Sequence, residues 1–385
     1  MSSYSSADDT YDSGEPSELD LDLAKLIECA TQALNAKCTA VRKLTRGVSH
    51  EVFTLQLQEA PPVPDSLKQA GFSCIARFSR LNDTRAKLAS EIATARYLRR
   101  FSSIPVPEIY YYDLNPDNGV GAPFILMQRM PGRHLNKIWD TLSLDGKKSA
   151  LSEIAAVIAQ LPCFDQPKGP FSSSSEYMRS FISIPSVKFS AIGDPLQQAG
   201  DEIERFLYHD YLQPPFCLIH ADFDGQNMLF ANSPDGSGPK LTGLIDFEYA
   251  YTGPLYFLYE YPIFIQDVSW SKELYTENAI LRAHFIRAVW RALPDTAAQS
   301  TFISSMNGKN FALNGFRDSF MTVKLSPESL LDSAKYYVQS LKDGTEPAYS
   351  GRLDYTPERY TKTADPLPYG EDSDNGEDGG KNLSG

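Results

Sequence analysis

His220, Asp222 and Asn227 crowd into the stretch CLIHADFDGQNMLF, residues 217–230, between two apolar runs. Carboxylates this close to hydrophobic sequence are costly to bury unless a cation pairs with them. The turn-rich connection ANSPDGSGPK separates NMLF from LTGLIDFE, so a hairpin returns Asp246 beside Asn227. An asparagine and an aspartate brought together in this way are hard oxygen donors suited to Mg2+. That ion takes one or two protein ligands and completes its shell with waters and phosphates. Asp222 is then left to orient or accept a hydroxyl proton. Asp224 has no part in such a set and reads as a loop acid.

The order His-x-Asp, an Asn five residues after the Asp, then an Asp at a strand end matches the template for phosphoryl transfer. Two other readings compete with this one. A transition-metal hydrolase wants several histidine ligands. The five histidines (His50, His134, His209, His220, His284) form no HxH or HExxH. A purely structural polar turn would explain the first motif alone, but not the aspartate returned by the hairpin or the pattern upstream of it.

That upstream pattern starts with helical spacing in LDLAKLIECATQAL. Strand-like alternation follows in TAVRKLTRGVSHEVFTLQL, with a turn at Gly47. EAPPVPDSLKQAG reads as a long Pro-rich hairpin loop, and FSCIARFSR as a third strand. In NDTRAKLASEIATARYLRRF, Leu88, Ile92, Ala95 and Leu98 share one helical face. Glu91 falls on that face and needs a partner or a polar cleft, and Arg99 projects nearby. VPEIYYYD and PFILMQRM read as two more strands, and MPGRHL as a lobe boundary. Beyond it, residues 143–162, 196–212, 272–293 and 326–342 read as mostly helical. NMLF with LTGLIDF is the one clear strand pair there, and no internal repeat is evident.

With these residues in place, CLIHADFDGQNMLF followed by LTGLIDFEYAYTGP resembles the signature of the aminoglycoside phosphotransferase and choline kinase-like family. The likeness extends over roughly residues 40–340 and is strongest at 217–254. It implies an α+β, bilobal protein-kinase-like fold with a five-stranded antiparallel N-lobe sheet and a mainly helical C-lobe. The implied activity is ATP- and Mg2+-dependent transfer of the γ-phosphoryl group to a hydroxyl of a small molecule. By the resemblance Asp222 is the catalytic base, His220 braces its loop, and Asn227 and Asp246 are the metal ligands. Gly47 and Ser49 would contact phosphate, and Arg77 would pair phosphate with Glu91 behind it. Met127 to Met130, including Gln128, would form the hinge that offers backbone groups to adenine.

The chain departs from the family pattern in several places. Ala221 replaces the Gly of HGD, which fits if the backbone there avoids positive φ. TRGVSHEVF has a single glycine, so no GxGxxG is present. Arg77 stands where a lysine is expected, and a planar fork is not interchangeable with an ammonium. Arg80 competes for that role, but alternation places it on the opposite strand face. Glu248 recurs as a supporting acid in the family. The aromatic run YTGPLYFLYEYPIF could face the acceptor, though core packing accounts for most of it. The rival reading is a non-catalytic nucleotide-binding pseudokinase or scaffold. A protein kinase is disfavoured because no APE segment follows Asp246.

Composition bounds the rest. The 385 residues are 42% hydrophobic and 22% charged, as in a globular protein. The net charge of −13 is concentrated in the ends: residues 1–23 hold seven acids and no base, and residues 371–385 hold five acids and one lysine. The body is near neutral, which excludes the basic footprint of a nucleic-acid binder. Five scattered cysteines without CxxC, and no signal peptide or long apolar run, read as reduced thiols in a cytoplasmic protein with no membrane partner. The expected divisions are disordered acidic tails at 1–20 and 366–385, a nucleotide-binding lobe at 21–130, and a catalytic and acceptor-binding lobe at 131–365.

Overall fold

A computed structural model describes residues 19–344, apart from 47–49, 59–63, 81–83, 164–170, 208–211, 234, 267–270, 307 and 322–325. The acidic tails expected to be disordered lie outside the described residues for nearly all of their length.

Helix α1 (Leu23–Leu34) starts at Asp22, whose carboxylate accepts from the Lys25 amide at 2.9 Å, and ends at left-handed Asn35. Strands β1 (Cys38–Arg46) and β2 (His50–Leu57) follow. The Pro-rich excursion contains a short helix, α2 (Asp65–Gln69), where a plain loop was expected. Then come β3 (Ser73–Ser79), α3 (Thr84–Phe101), β4 (Ile109–Asp113) and β5 (Phe124–Gln128). The five strands form one antiparallel sheet, as the family resemblance implies, in the order β1-β2-β3-β5-β4.

Central strand β3 is buried along its whole length, and its period of two divides its side chains between two cores. Cys74, Ala76 and Phe78 pack with Leu26, Ala30 and Leu34 of α1. Ile75 packs on the other face with Leu88 and Ile92 of α3. Arg77 shares the face of Ile75 and so points toward α3. The predicted α3 face is borne out, with Leu88, Ile92, Ala95 and Leu98 all buried. Arg99 does not serve Glu91: its guanidinium donates to the Val106 carbonyl at 3.0 Å.

The chain leaves the sheet at Gln128 and turns at Gly132, where φ is +109°. A Cβ at Gly132 would stand 2.6 Å from the Phe230 carbonyl oxygen, so this close crossing requires glycine. Strand β6 (Arg133–His134) and helix α4 (Leu135–Ile138) begin the second lobe. Helices α5 (Leu144–Ile158), α6 (Ser174–Lys188) and α7 (Ser190–Glu204) precede the strands β7 (Cys217–Ile219), β8 (Met228–Asn232), β9 (Pro239–Leu244) and β10 (Tyr251–Gly253). Helices α8 (Lys272–Ala292), α9 (Thr296–Ser305), α10 (Gly308–Met321) and α11 (Pro327–Asp343) complete it. The expected β8–β9 pair is present, with β6 added at its edge as β6-β8-β9. A second pair, β7 with β10, was not foreseen.

Leu151, Ile154, Leu196, Ile203, Leu281, Phe285, Phe302 and Phe316 centre the helical core. Tyr256, Phe257, Leu258, Tyr259 and Tyr261 join it, so most of the aromatic run packs inside. Among the described residues no helix is long and apolar enough to cross a membrane. Cys38, Cys74 and Cys217 are buried free thiols and Cys29 is half-buried.

Candidate active site

Strand β7 delivers the chain to His220, which is buried. Its Nε2 donates to the Ile245 carbonyl at 2.9 Å, and its ring lies 4.6 Å from that of Phe247. Burial lowers the His220 pKa, which keeps the imidazole neutral with its proton on Nε2. The histidine thus ties the loop after β7 to the residue before Asp246.

The next residue, Ala221, has φ +69°, which corrects the expectation that the backbone there avoids the left-handed region. The backbone needed at this turn is the one glycine supplies, and alanine adopts it. Asp222 follows. Its Oδ2 accepts from Asn227 Nδ2 at 2.8 Å and from Gln226 Nε2 at 3.1 Å. Asn227 Nδ2 also donates to the Asp222 carbonyl at 2.9 Å. With its amide nitrogen spent on Asp222, Asn227 offers Oδ1 as its hard donor. Asp224 accepts from the Gly225 amide at 2.6 Å and caps the tight turn 225–227, and burial raises its pKa. That makes it a loop acid, as expected.

Strands β8 and β9 pair Met228 with Leu244, and the ladder runs on as Ile245 N donates to the Asn227 carbonyl at 3.0 Å. Asp246 therefore emerges directly beyond Asn227, in a left-handed conformation with φ +70°. The hairpin does what the spacing requires.

Above it sits Arg77, 4% exposed. Its Nη1 donates to Glu91 Oε1, and its Nη2 donates to Asp246 Oδ1. Burial alone would lower the Arg77 pKa, but the charges of Glu91 and Asp246 outweigh it and hold the guanidinium protonated. Burial pushes the Glu91 carboxyl above its usual range, and the Arg77 charge opposes that rise.

A further residue belongs to this cluster and was not singled out in the sequence. His50, at the start of β2, is buried, and its Nδ1 lies 3.0 Å from Arg77 Nη2. Its Nε2 is 3.3 Å from Glu248 Oε2. Burial, and then the Arg77 charge, push its pKa down to about 3, so it is neutral. Its place three residues after Gly47 is a weak sequence signal, since one histidine in an apolar strand has no period. Ligand atoms of His50, Asp246 and Glu248 lie within 4.8 Å of one another, and Asn227 ends the turn that leads into β8. These carboxylate and amide oxygens fit a hard divalent cation, and Arg77 neutralises Asp246 meanwhile.

The remaining expected residues are spread around this centre. Gly47 and Ser49 lie outside the described residues. The Gln128 amide donates to the Glu108 carbonyl at 2.8 Å, and its side-chain oxygen accepts from Glu108 N at 3.3 Å. Met130 packs over Gly243 of β9, where an added Cβ would stand 2.9 Å from Met130 Cβ.

A polar group lies along α10 and β10. Arg317 stacks 4.0 Å from the Phe257 ring centroid and donates to Tyr251 Oη at 2.9 Å. Burial, and then the charge of Asp318, push the half-buried Glu260 carboxyl up to about 7, against the pull of Arg317.

Comparison with known proteins gives this geometry a context. A family model described as the phosphotransferase enzyme family matches residues 41–257. A subtelomeric hrmA-associated cluster protein of Aspergillus fumigatus is 32% identical over 120 residues, which is 31% of this chain and 21% of that protein. The mitochondrial altered inheritance of mitochondria protein 9 of Debaryomyces hansenii is 32% identical over 80 residues, 21% of this chain and 13% of that protein. The matches thus span about a fifth or less of the length of these curated relatives. Among solved structures, ADP-bound aminoglycoside phosphotransferase APH(2'')-Ib superposes with TM-score 0.53 at 16% identity, covering 85% of this chain and 99% of that one. The gentamicin complex of APH(2'')-IIa gives 0.51 at 15% identity, covering 87% and 100%. At such identities the likeness is one of fold.

Proposed function

Because the chain belongs to the phosphotransferase enzyme family, we propose that it moves the γ-phosphoryl group of ATP, with Mg2+, to a hydroxyl of a small molecule. The observation that carries this reading is the hairpin that sets Asn227 and Asp246 at adjoining strand ends, with Asp222 bonded to Asn227. The ADP bound by one structural neighbour supports an adenine nucleotide as donor.

In this reading Asn227 Oδ1 and Asp246 hold the metal. When bound, Mg2+ neutralises charge on the transferring phosphates. Asp222 receives the acceptor's hydroxyl proton on Oδ1, while Oδ2 is fixed by Asn227 and Gln226. His220 takes no proton. It holds the Ile245 carbonyl and so keeps Asp222 and Asp246 at one spacing. Arg77, backed by Glu91, would offer its guanidinium to phosphate oxygens. Gly47 and Ser49 cover the phosphates, and the backbone from Met127 to Met130 meets adenine. Little covalent chemistry falls to the protein, and positioning does the rest. The nucleotide lobe is residues 21–130 and the acceptor lobe 131–365. The chain works in the cytoplasm, without nucleic acid or membrane. The near-neutral body offers no particular attraction for a polycationic acceptor.

One observation favours the rival scaffold reading: Arg77, not lysine, occupies β3 and bonds to Asp246. A thermal-shift titration separates the two. Mg-ATP should raise the melting temperature of the wild type and not of Asp246→Ala. Incubation with Mg-ATP and a metabolite extract should then yield a product heavier by one phosphate. No shift refutes nucleotide binding, and a shift without ADP formation across a broad hydroxyl panel favours the scaffold.

A further inference from the structure

The Arg77 guanidinium is a planar fork, and three acceptors meet it. Glu91 Oε1 takes Nη1, while Asp246 Oδ1 and His50 Nδ1 share Nη2. His50, Arg77 and Glu91 are each at most 6% exposed, so water does not stand in for a missing partner.

One of these acceptors has another use: Asp246 is a hard donor that a divalent cation would claim. The His50 ring lies between Arg77 on one side and Glu248 on the other. An imidazole nitrogen that accepts from Arg77 must lack a proton, so the proton sits on Nε2. Glu248 Oε2 lies 3.3 Å from Nε2.

We infer that His50 is a positioning residue that keeps the Arg77 guanidinium aligned for phosphate when Asp246 serves a divalent cation. This rests on the reading of Arg77 as a phosphate ligand. It also accounts for arginine at a position where lysine is expected. A guanidinium offers Nη1 to Glu91 and Nη2 to Asp246 and His50, a division that a single ammonium nitrogen does not provide. His50 supplies the acceptor that completes the set, and it stays in place through the exchange of partners at Asp246.

The test uses the full chain and Mg-ATP, with affinity read by calorimetry. Asparagine sets an acceptor oxygen near the place of Nδ1, and glutamine sets one near Nε2. His50→Asn should hold Mg-ATP within about threefold of wild type. His50→Gln and His50→Leu should weaken it about tenfold to a hundredfold, the worth of one buried charge-assisted bond. In the Arg77→Lys background, His50→Leu should add less than about twofold, because the fork it serves is gone.

Equal losses for His50→Asn and His50→Gln overturn the inference. So does an undiminished effect of His50→Leu beside Arg77→Lys, which would mark a packing role. Urea midpoints of the wild type, His50→Leu, Arg77→Lys and the double variant provide a readout without nucleotide. The loss caused by His50→Leu should shrink by at least about half in the Arg77→Lys background. If the wild type ignores Mg-ATP, the phosphate reading itself fails, and the urea cycle then judges the His50–Arg77 bond. Additive midpoints overturn that bond.

Discussion

Ala221 gives a prediction whose size follows from the backbone. At φ +69° an alanine sits in the left-handed region, which costs an L-residue about 1–2 kcal/mol. Glycine escapes that strain but loses about 0.5–1 kcal/mol more conformational freedom on folding. The Ala221 methyl is exposed, so its removal gives up no packing. Ala221→Gly should therefore stabilise the chain by about 0.5–1 kcal/mol. Against the entropy of unfolding a chain of this size, that is a rise of roughly 1 °C in Tm. Urea unfolding should show a higher midpoint at unchanged slope, and calorimetry should show the matching rise in Tm. A lower midpoint would refute the argument, since it would mean that the alanine methyl is held by a contact outweighing the strain. A changed slope would point to the unfolded chain instead.

Glu260 gives a pH dependence. Its carboxyl is pushed up to about 7, chiefly by burial, above its unfolded value. A raised folded pKa means that its contribution to stability is complete below about pH 4.5 and is lost as pH rises through 7. Glu260→Gln should remove that slope, so urea midpoints at pH 5 and pH 8 should differ less in the variant, by on the order of 2 kcal/mol. An unchanged difference would show that Glu260 does not titrate in this range. Gly315 on α10 faces α11, where an added Cβ would enter the Tyr337 ring. Gly315→Ala should cost about 1–3 kcal/mol in calorimetric stability, partly recovered by adding Tyr337→Leu. A neutral Gly315→Ala would contradict that packing.

The parts legible in the sequence are those with a period or a fixed spacing. The α3 face from Leu88 to Leu98, the alternation of β3, and the hairpin that returns Asp246 all read directly. Glu91 on an apolar face asked for a cation, and Arg77 on the matching strand face meets it. The parts that stayed hidden lack such a pattern. Strand β10 is three residues long, too short for alternation to show, and exists because β7 needs a partner. Helix α6 contains Pro185 and α7 contains Pro195, and proline argues against a helix interior. For α7 the sequence suggests a start near 196, after the proline, whereas the helix begins at Ser190. Helix α9 lacks a clear apolar stripe and is set by tertiary packing. His50 was hidden for a different reason: its partner Arg77 lies 27 residues away, and only the sheet register brings them together. The left-handed turn at Ala221 is likewise a demand of the loop, invisible in a residue that usually avoids it.

The crossing at Gly132 has a consequence for how the chain can change in length. Right after it, Arg133 and His134 pair with Phe230 and Leu229, and Met228 at the head of that strand follows Asn227. The crossing is therefore stitched to the strand that carries the loop of Asp222 and Asn227. An inserted residue between Gln128 and Gly132 would push a Cβ into Phe230 or slip this register, and the slip would reach Asn227. The turn at Asp235–Gly238, by contrast, is mostly exposed and lies at the far end of the same hairpin. Extra residues there would leave both strand ends as they are. One end of the hairpin is open to growth, and the other is closed to it.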